Sequence, residues 1–496
     1  MKPLEPSFCY AALLARDKRF DGRFFVGVTT TKIYCRPICP AATPKFENCL
    51  FFRFAAAAQE LGLRPCLRCR PESAPFSSAW RGTSSTVSRA LARIAAGNLD
   101  GKDKTVAQFA ETLGVGERQL RRLFQEHVGA SPLQVAKTHR ILLAKQLLHE
   151  TTLPVVEVAL AAGFSSARRL NDAFRKSHQR APSTWRRKTH PRRKQNEEQS
   201  HQVLNLRLRY TPPFNWERLI DYFSSRALED VEYVADGTYY RSISIDDFDG
   251  SIAVRHSPDD HALVLDINVS TFAIVPEVIT RVRRLFDVDA DVNAIGEHLS
   301  NDALLEPLVK ACPGLRVAGA WSGFELAMRV VLGQQISLEA GRRLTSQLVA
   351  ICGRNLAVND ERPRLKRLFP TAKEVAAVDL SAMKMPNARR QTLHHVAQAA
   401  LEDVTLFESL CSTEETVARL RRIRGVGEWT AQYIALRAAR EPNAFPAADV
   451  GILRGATLPG EPRPTPKALL KKEASWSPWR GYAAQYLWNA PQTRRR

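Results

Sequence analysis

Four cysteines close to the start of the chain constrain its fold more than any other feature of the sequence. They form a C-x3-C pair at Cys35 and Cys39 and a C-x2-C pair at Cys66 and Cys69, with 26 residues between the pairs. Each pair has the spacing that lets two thiolates reach one tetrahedral ion, and zinc is the natural choice for four cysteines. The sequence therefore predicts a small zinc domain, whose metal is either a structural staple or part of a reactive site.

The remaining cysteines show no comparable spacing, and we interpret them as small buried side chains: Cys9, Cys49, Cys312, Cys352 and Cys411. An odd total of nine fits metal ligation in a reducing compartment better than a disulfide framework. The chain has no run of about 18 apolar residues, and its N-terminus lacks a signal-peptide core. We expect a cytoplasmic protein with no membrane partner.

The chain is too long and too basic for a single neutral domain. Its 496 residues exceed what one hydrophobic core supports, so about three or four compact units are expected. The formal net charge is +21, and the segment from Arg81 to Lys194 holds 22 Lys and Arg against 8 Asp and Glu. Clustered cations release counterions from phosphates, which favours a nucleic-acid partner over a membrane surface.

Two copies of a helix-turn-helix pattern lie within this basic segment. In "TVAQFAETLGVGERQLRRLFQ" the apolar residues break at Gly114 and Gly116, and in "LPVVEVALAAGFSSARRLNDAFRK" Gly163 stands at the turn. A bracing helix followed by a polar, cationic one is the order that places the second helix in the major groove. A single charged amphipathic helix usually only exposes its polar face to solvent. The presence of two such helix pairs in tandem, in contrast, indicates DNA binding. The candidate contact residues are Arg118, Gln119, Arg121, Arg122, Ser166, Arg168, Arg169 and Asn171.

A polar run after the basic segment predicts a linker. The stretch "RRKTHPRRKQNEEQSHQ", residues 186–202, has no apolar periodicity, and we place the linker at 189–202. A nuclear-targeting or phosphate-gripping role is the alternative. Another boundary is expected near residues 76–85, "FSSAWRGTSS", where small polar residues dominate.

The second half of the chain changes from strand-like to helical patterns. Alternating residues in "LNLRLRY", "GSIAVRH" and "HALVLDINV" predict a small α+β unit up to about residue 290, followed by helices. Between two helices, "RRIRGVGEWTAQYIAL" contains Gly425 and Gly427. Glycines leave amide hydrogens open to a phosphate at a helix start, although they also simply terminate helices. Asp449 follows in "FPAADVGILRG". It is either a functional carboxylate or the N-cap of the next helix, and the two roles are compatible.

The cysteine region resembles a known repair domain. Residues 5–76, with "FFVGVTTTKIYCRPICP" and "LRPCLRCRPE", resemble the N-terminal domain of the Ada adaptive-response protein. The resemblance implies that Cys35 accepts a methyl group from a methylated DNA phosphate, with the other three cysteines as ligands only. Zinc keeps the sulfur as thiolate, and methylation removes one negative charge from the cluster, so promoter binding strengthens. A structural zinc finger is the alternative.

Residues 86–188 resemble the AraC family of transcription regulators, with the "GFSS" turn and the terminal "RAPSTWRR" as the best matches. The resemblance implies a sequence-specific activator. Its expected partners are double-stranded DNA, at promoters and at alkylated sites, and RNA polymerase. Such a protein would be associated with the nucleoid.

Residues 203–490 resemble the AlkA-type 3-methyladenine DNA glycosylases of the helix-hairpin-helix superfamily, through "LGQQIS", "GVGEWTAQYIALRA", "FPAAD" and "WSPWRGYAAQYLW". The resemblance implies that Asp449 promotes hydrolysis of the bond between an alkylated base and deoxyribose. It also implies a pocket for a flipped cationic purine, lined or flanked by Tyr222, Trp429, Tyr433 and Trp488. Gln335 stands where some members insert a leucine wedge, so the filling of the DNA gap departs from that pattern.

Two absences narrow the expected chemistry. Trp429 occupies the position at which bifunctional members carry a lysine nucleophile, so we expect no Schiff base and no strand cleavage. The iron-sulfur cysteines of that branch are missing as well. Zinc is therefore the expected cofactor, with no organic cofactor and no iron-sulfur cluster.

Together these patterns predict a multidomain, mainly α protein. The expected parts are a four-cysteine zinc α/β methyl-acceptor domain (1–78), an all-α tandem helix-turn-helix domain (84–188), the linker (189–202), a small α+β domain (203–290) and an all-α helix-hairpin-helix glycosylase domain (291–490). The expected function is excision of alkylated bases fused to methylphosphotriester-sensing gene regulation. One alternative is a regulator whose glycosylase half only binds DNA. Another is a repair enzyme whose first half is only a tether.

Overall fold

The computed structural model describes residues 6–14, 16, 24–53, 55–66, 68–69, 86–100, 105–151, 153–185, 203–356, 364–409 and 413–491. The chain forms two compact units. The first comprises residues 1–79, 85–211 and 257–280, and the second comprises residues 80–84, 212–256 and 281–496. The linker predicted at 189–202 and Cys411 lie outside the described residues.

The first unit begins with a small α/β fold around the cysteines. Its elements are α1 (Pro6–Leu14), β1 (Phe25–Val28), β2 (Ile33–Cys35), β3 (Cys49–Phe52), α2 (Ala55–Glu60) and β4 (Arg64–Pro65). The strand order is β3-β1-β2-β4, with β1 antiparallel to both neighbours and β2 parallel to β4. Gly27 lies in the middle of β1, where a Cβ would overlap the side chains of Leu63 and Phe52. The register therefore needs glycine at this position.

Six helices of the first unit form the basic segment: α3 (Thr86–Ala95), α4 (Val106–Glu111), α5 (Glu117–His127), α6 (Pro132–Glu150), α7 (Val155–Ala161) and α8 (Ala167–His178). Side chains fix the helix starts, because Thr105 forms a capping box with Gln108 and Ser166 caps α8. Leu120 and Phe124 of α5 are fully buried, as are Leu170 and Phe174 of α8. Each turn thus fixes a second helix that buries one face and exposes the other.

The cysteine fold packs on α6 through apolar and polar contacts. Leu142 of α6 shares a core with Phe25 and Tyr34 of the small sheet. Gln59 donates to the Tyr34 hydroxyl at 2.9 Å and accepts from the Thr138 hydroxyl at 2.9 Å. This hydrogen-bonded chain crosses from the sheet to the helix.

The middle of the chain consists of β5 (Leu204–Arg209), α9 (Trp216–Arg226), β6 (Glu232–Ala235), β7 (Thr238–Ile245), β8 (Phe248–Ser257), β9 (Ala262–Val269) and α10 (Val275–Leu285). In the first unit, β5 pairs antiparallel with β9, and Gln146 of α6 donates to the Arg207 carbonyl at 3.0 Å. In the second unit, β6, β7 and β8 form an antiparallel ladder. Contacts therefore group β5 and β9 with the basic helices.

The rest of the second unit is helical. Its helices are α11 (Val292–Leu299), α12 (Glu306–Ala311), α13 (Gly323–Leu332), α14 (Leu338–Cys352), α15 (Ala372–Ala377), α16 (Asn387–Glu402), α17 (Thr413–Arg421), α18 (Glu428–Ile434), α19 (Val450–Gly455), α20 (Pro466–Lys472) and α21 (Arg480–Trp488). Helix α13 is buried along nearly its whole length and lies in the main core. Residues Ala435–Ala439 continue α18 as a π-helical turn.

Buried ion pairs join α13 to the strands of the second unit. Arg241 of β7 pairs with Glu232 of β6 at 2.8 Å and with Glu325 of α13. Arg329, one turn after Glu325, pairs with Glu232 and donates to the Arg226 carbonyl at 3.1 Å. Mutual pairing offsets the desolvation of these charges. The C-terminal turn of α9 is thereby fixed.

The predicted fold class is confirmed: a mainly α protein with a small cysteine-bearing sheet, tandem helix-turn-helix pairs, a small α+β region and a helical second half. Within the described ranges, no helix combines the length and apolarity needed to cross a membrane.

Candidate active site and metal centre

The four cysteine sulfurs converge at one point of the first unit. The Sγ atoms of Cys35, Cys39, Cys66 and Cys69 all lie within 4.8 Å of one another, and those of Cys39 and Cys66 are 3.9 Å apart. A tetrahedron with Zn–S bonds of about 2.3 Å has sulfurs about 3.8 Å apart. The donor set and its spacing therefore fit a zinc ion.

Cys35 differs from the other three cysteines in its exposure. It is half-buried, whereas Cys39, Cys66 and Cys69 are at most 7% exposed. Cys69 accepts from the Arg36 amide at 3.3 Å, and Cys39 and Cys66 also accept from backbone amides. The Cys35 sulfur therefore belongs to the most exposed of the four cysteines.

The first recognition-helix candidate, α5, exposes its polar residues to solvent: Arg118, Gln119, Arg121 and Arg122. Arg121 pairs with Glu117 one turn earlier at 2.6 Å. That exposed pair is weak and leaves the guanidinium available to a phosphate.

The second candidate, α8, divides its predicted residues into two kinds. Arg168 and Arg169 are exposed. The Ser166 hydroxyl accepts from the Arg169 amide at 3.3 Å, and the Asn171 amide donates to the Ala167 carbonyl at 3.0 Å. Ser166 and Asn171 thus also stabilise the first turn of the helix.

The glycine hairpin of the second unit requires glycine at one of its two positions. Gly425 has φ +94°, and a Cβ there would overlap the Thr392 side chain. Gly427 caps α18 with φ −84°, and a Cβ there would meet no described atom within 4 Å. Neither glycine amide makes a hydrogen bond to another described residue. Both amides are therefore open to an outside acceptor.

The hairpin and Asp449 line one open cleft of about 630 Å³, together with Gln335 and Trp429. Gln335 is exposed and adopts the left-handed conformation, with φ +58°. Such a conformation is uncommon for a residue other than glycine, asparagine or aspartate. The loop after α13 therefore turns sharply where it lines the cleft.

Asp449 is fixed by four hydrogen bonds. Its Oδ1 accepts from the amides of Gly451 at 2.8 Å and Ile452 at 3.1 Å, which makes Asp449 the N-cap of α19. The indole of Trp488 donates to the same oxygen at 2.8 Å, and the indole of Trp429 donates to Oδ2 at 2.8 Å. The cap role and a place at the cleft wall thus coexist, and Oδ2 keeps a free lone pair.

The four predicted pocket aromatics form one cluster beside Asp449. Trp429 stacks on Tyr433 with centroids 5.4 Å apart, and Trp488 meets Tyr433 edge-on at 5.9 Å. The hydroxyls of Tyr222 and Tyr433 lie 3.2 Å apart. Burial raises the pKa of Tyr433 to about 12. Among the described residues lining the cleft, Trp429 is the one member of the cluster.

Family models match three parts of the chain. The metal binding domain of Ada matches residues 8–72, a helix-turn-helix domain matches residues 109–188, and the AlkA N-terminal domain matches residues 205–322. A probable bifunctional transcriptional activator/DNA repair enzyme AlkA from Mycobacterium tuberculosis is 37% identical over 480 residues, covering 97% of this chain and 95% of the relative.

The chain belongs to this AlkA family of bifunctional transcriptional activator/DNA repair enzymes. DNA-3-methyladenine glycosylase 2 of Escherichia coli is 30% identical over 284 residues, covering 57% of this chain and 95% of the relative. A 3-methyladenine DNA-glycosylase structure from Archaeoglobus fulgidus has a TM-score of 0.50 at 21% identity, covering 57% of this chain and 96% of that one, and supports the fold. The three predicted family resemblances are confirmed.

One residue of this AlkA-family site escaped the sequence reasoning. Arg437 is 2% exposed and lies within 5.0 Å of the ring centroids of Tyr222, Tyr433 and Trp488. It follows Trp429 and Tyr433 at intervals of four residues, so it shares their helix face. This spacing is the sequence signal that could have identified Arg437 as part of the site. The signal is easily missed, because an arginine in an otherwise apolar helix is expected to reach solvent.

Proposed function

We propose that the second half of this chain hydrolyses the N-glycosidic bond of alkylated bases, and that the first half senses methylated DNA phosphates and activates transcription. The observation that most directly supports the glycosylase activity is the position of Asp449. Two indoles fix its carboxylate at the cleft that the Gly425–Gly427 hairpin also lines. Family membership supports the same pairing of activities.

Asp449 is the proposed catalytic carboxylate. As the bond from C1′ to the base nitrogen breaks, its electron pair leaves with the base, and the sugar gains oxocarbenium character. The carboxylate stabilises that positive charge, because its position is fixed before reaction. The free lone pair on Oδ2 orients a water whose oxygen bonds to C1′, and its proton passes to the carboxylate or to solvent.

The hairpin is the proposed DNA clamp. The open amides of Gly425 and Gly427 donate hydrogen bonds to a DNA phosphate at the start of α18. Trp429 and Asp449 line the same cleft. A base must leave the stack to reach Asp449. We assign Gln335 to the opposite wall, where its exposed side chain contacts the DNA around the vacated position.

Cys35 is the proposed methyl acceptor. Zinc held by the four cysteines would keep their sulfurs as thiolates near neutral pH. The Cys35 sulfur attacks the methyl carbon of a phosphate triester, a sulfur–carbon bond forms, and the carbon–oxygen bond breaks with its electrons left on the phosphate. Its partial exposure supports Cys35 over its three buried neighbours. One negative charge disappears, so repulsion between the cluster and DNA decreases.

The regulatory step is proposed to use α5 and α8 as major-groove helices. Their exposed arginines, Arg118 and Arg122 on α5 and Arg168 and Arg169 on α8, supply contacts to bases and phosphates. RNA polymerase is the proposed protein partner of the bound activator.

The glycosylase proposal is tested by base release from alkylated duplex DNA. Asp449→Asn keeps the size and the cap acceptor but removes the charge, and we expect release to fall about 10²–10⁴-fold. Glu461→Gln, at an exposed site in the same half, removes an equal charge and should leave release unchanged. Undiminished release by Asp449→Asn contradicts the assignment.

The methyl-transfer proposal is tested by peptide mass analysis after incubation of the zinc-loaded chain with methylphosphotriester DNA. We expect one methyl group on Cys35 and none in Cys35→Ser. Cys49→Ser, outside the quartet in the same small fold, should still be methylated. A methyl group on another residue contradicts the proposal.

A further inference from the structure

Arg437 is a buried cation beside the proposed reaction centre. Among the described residues, no carboxylate forms an ion pair with it. Its Nη1 donates to the Ala318 carbonyl at 2.8 Å and its Nη2 to the Gln485 side-chain oxygen at 3.2 Å, while Nε has no partner in the described part of the chain. Burying an unpaired cation is costly, so this position calls for a functional explanation.

The charge of Arg437 is stabilised by the pocket aromatics. The guanidinium carbon lies 4.6 Å from the Tyr222 centroid, 4.9 Å from that of Tyr433 and 5.0 Å from that of Trp488. Arg226 lies 4.0 Å from the Tyr222 centroid as well. Three of the four aromatic rings expected to attract a cationic base, those of Tyr222, Tyr433 and Trp488, are thus already engaged by resident cations.

The field of Arg437 reaches the tyrosines and the catalytic carboxylate. Burial alone would lower the pKa of Arg437, but interactions with Tyr222, Tyr433 and Asp449 raise it overall. Burial alone would raise the pKa of Tyr222, but the positive charges of Arg437 and Arg226 lower it overall. Negative charge that develops beside these groups is therefore stabilised.

This field affects two kinds of leaving base in opposite ways. A cationic base enters the pocket positive and leaves neutral, so a nearby cation opposes its binding. A neutral base leaves with the bonding electron pair and develops negative charge, which a nearby cation stabilises. The same arginine therefore disfavours one substrate class and assists the other.

We infer that Arg437 is a specificity-determining residue that favours excision of neutral damaged bases relative to cationic ones. The inference rests on the proposed glycosylase function. Arg437 acts through the rings of Tyr222, Tyr433 and Trp488 and provides electrostatic assistance to departure of the base, while Asp449 stabilises the sugar.

The test compares single-turnover excision of hypoxanthine, a neutral base, with that of 7-methylguanine, a cationic base. Wild type should release both. Arg437→Met removes the charge and keeps most of the volume, and we expect the neutral-to-cationic rate ratio to fall about tenfold. Arg437→Lys keeps the charge and should hold the ratio within about threefold of wild type. The ratio does not depend on the active fraction, because both rates come from one preparation.

A second variant covers the case in which Arg437→Met does not fold. Arg226 is half-buried, and Arg226→Gln should lower the same ratio in the same direction by about threefold. A ratio unchanged in the folded variants overturns the inference, as does wild type releasing 7-methylguanine but no hypoxanthine. Wild type that releases neither base contradicts the glycosylase proposal instead.

Discussion

The indole Nε1 of Trp429 donates a hydrogen bond to Oδ2 of Asp449 at 2.8 Å, across 20 residues of sequence. Trp488 donates to the other carboxylate oxygen at the same distance. The carboxylate is thus oriented from both sides before any DNA binds. Preorganised dipoles and charges of this kind need no rearrangement when charge develops in the transition state.

Removing either indole donor should slow excision without unfolding the protein. We expect Trp488→Phe and Trp429→Phe each to lower the single-turnover rate about tenfold, since each loses one charge-assisted hydrogen bond to Asp449. Trp476→Phe is the matched control, because that buried indole has no hydrogen-bond partner among the described residues. Equal loss in all three variants would show that packing, not carboxylate orientation, sets the rate.

The two hairpin glycines should respond differently to alanine. Gly425→Ala forces a side chain into Thr392 at positive φ, so we expect a stability loss of about 1–3 kcal/mol by denaturant unfolding. Gly427→Ala has open space and should leave stability unchanged. Both should weaken binding to abasic-site DNA, because a methyl group hinders approach of a phosphate. Wild-type DNA affinity in Gly427→Ala would contradict the clamp.

Removing zinc should affect the first unit. Structural zinc sites contribute about 10–16 kcal/mol of apparent binding free energy, so chelation should abolish the protection of amides in residues 24–69 from hydrogen exchange. Cys39→Ser should reproduce this loss, since Cys39 is a buried ligand. Base release should persist in both cases, because Asp449 and its donors lie in the second unit. Full protection in the metal-free chain would contradict a structural metal.

His178 should make the stability of the first unit depend on pH. Burial lowers its pKa to about 3, with Lys145 and Arg64 acting in the same direction. From pH 6.5 downward the unfolded chain binds a proton that the folded chain does not, so stability falls as pH decreases. We expect wild type to lose about 2 kcal/mol more than His178→Phe between pH 6.5 and 5.

Denaturant unfolding of the zinc-loaded chain at both pH values measures this difference. Phenylalanine can replace His178 because the imidazole stacks on Phe174 with centroids 4.9 Å apart. His127→Gln is the control, since His127 is exposed in the same domain, and it should keep the wild-type dependence. An equal pH dependence in His178→Phe would contradict the buried neutral imidazole.

The sequence by itself determined the features that depend on local spacing. The cysteine intervals specify a shared ion, and the apolar periods broken at Gly114 and Gly163 specify helix-turn-helix pairs. Each of these constraints acts within a few residues of chain, or through one metal that the side chains share. The fold class could therefore be predicted before the structure was known.

The tertiary structure alone decided the electrostatics of the active site. Asp449 could be read as a cap or as a catalyst, and only the fold brought the indoles of Trp429 and Trp488 to its two oxygens. The burial of Arg437 against three aromatic rings, one from α9 and one from α21, has no local signature. Burial and long-range charge depend on which distant segments meet, and no periodicity along the chain records that.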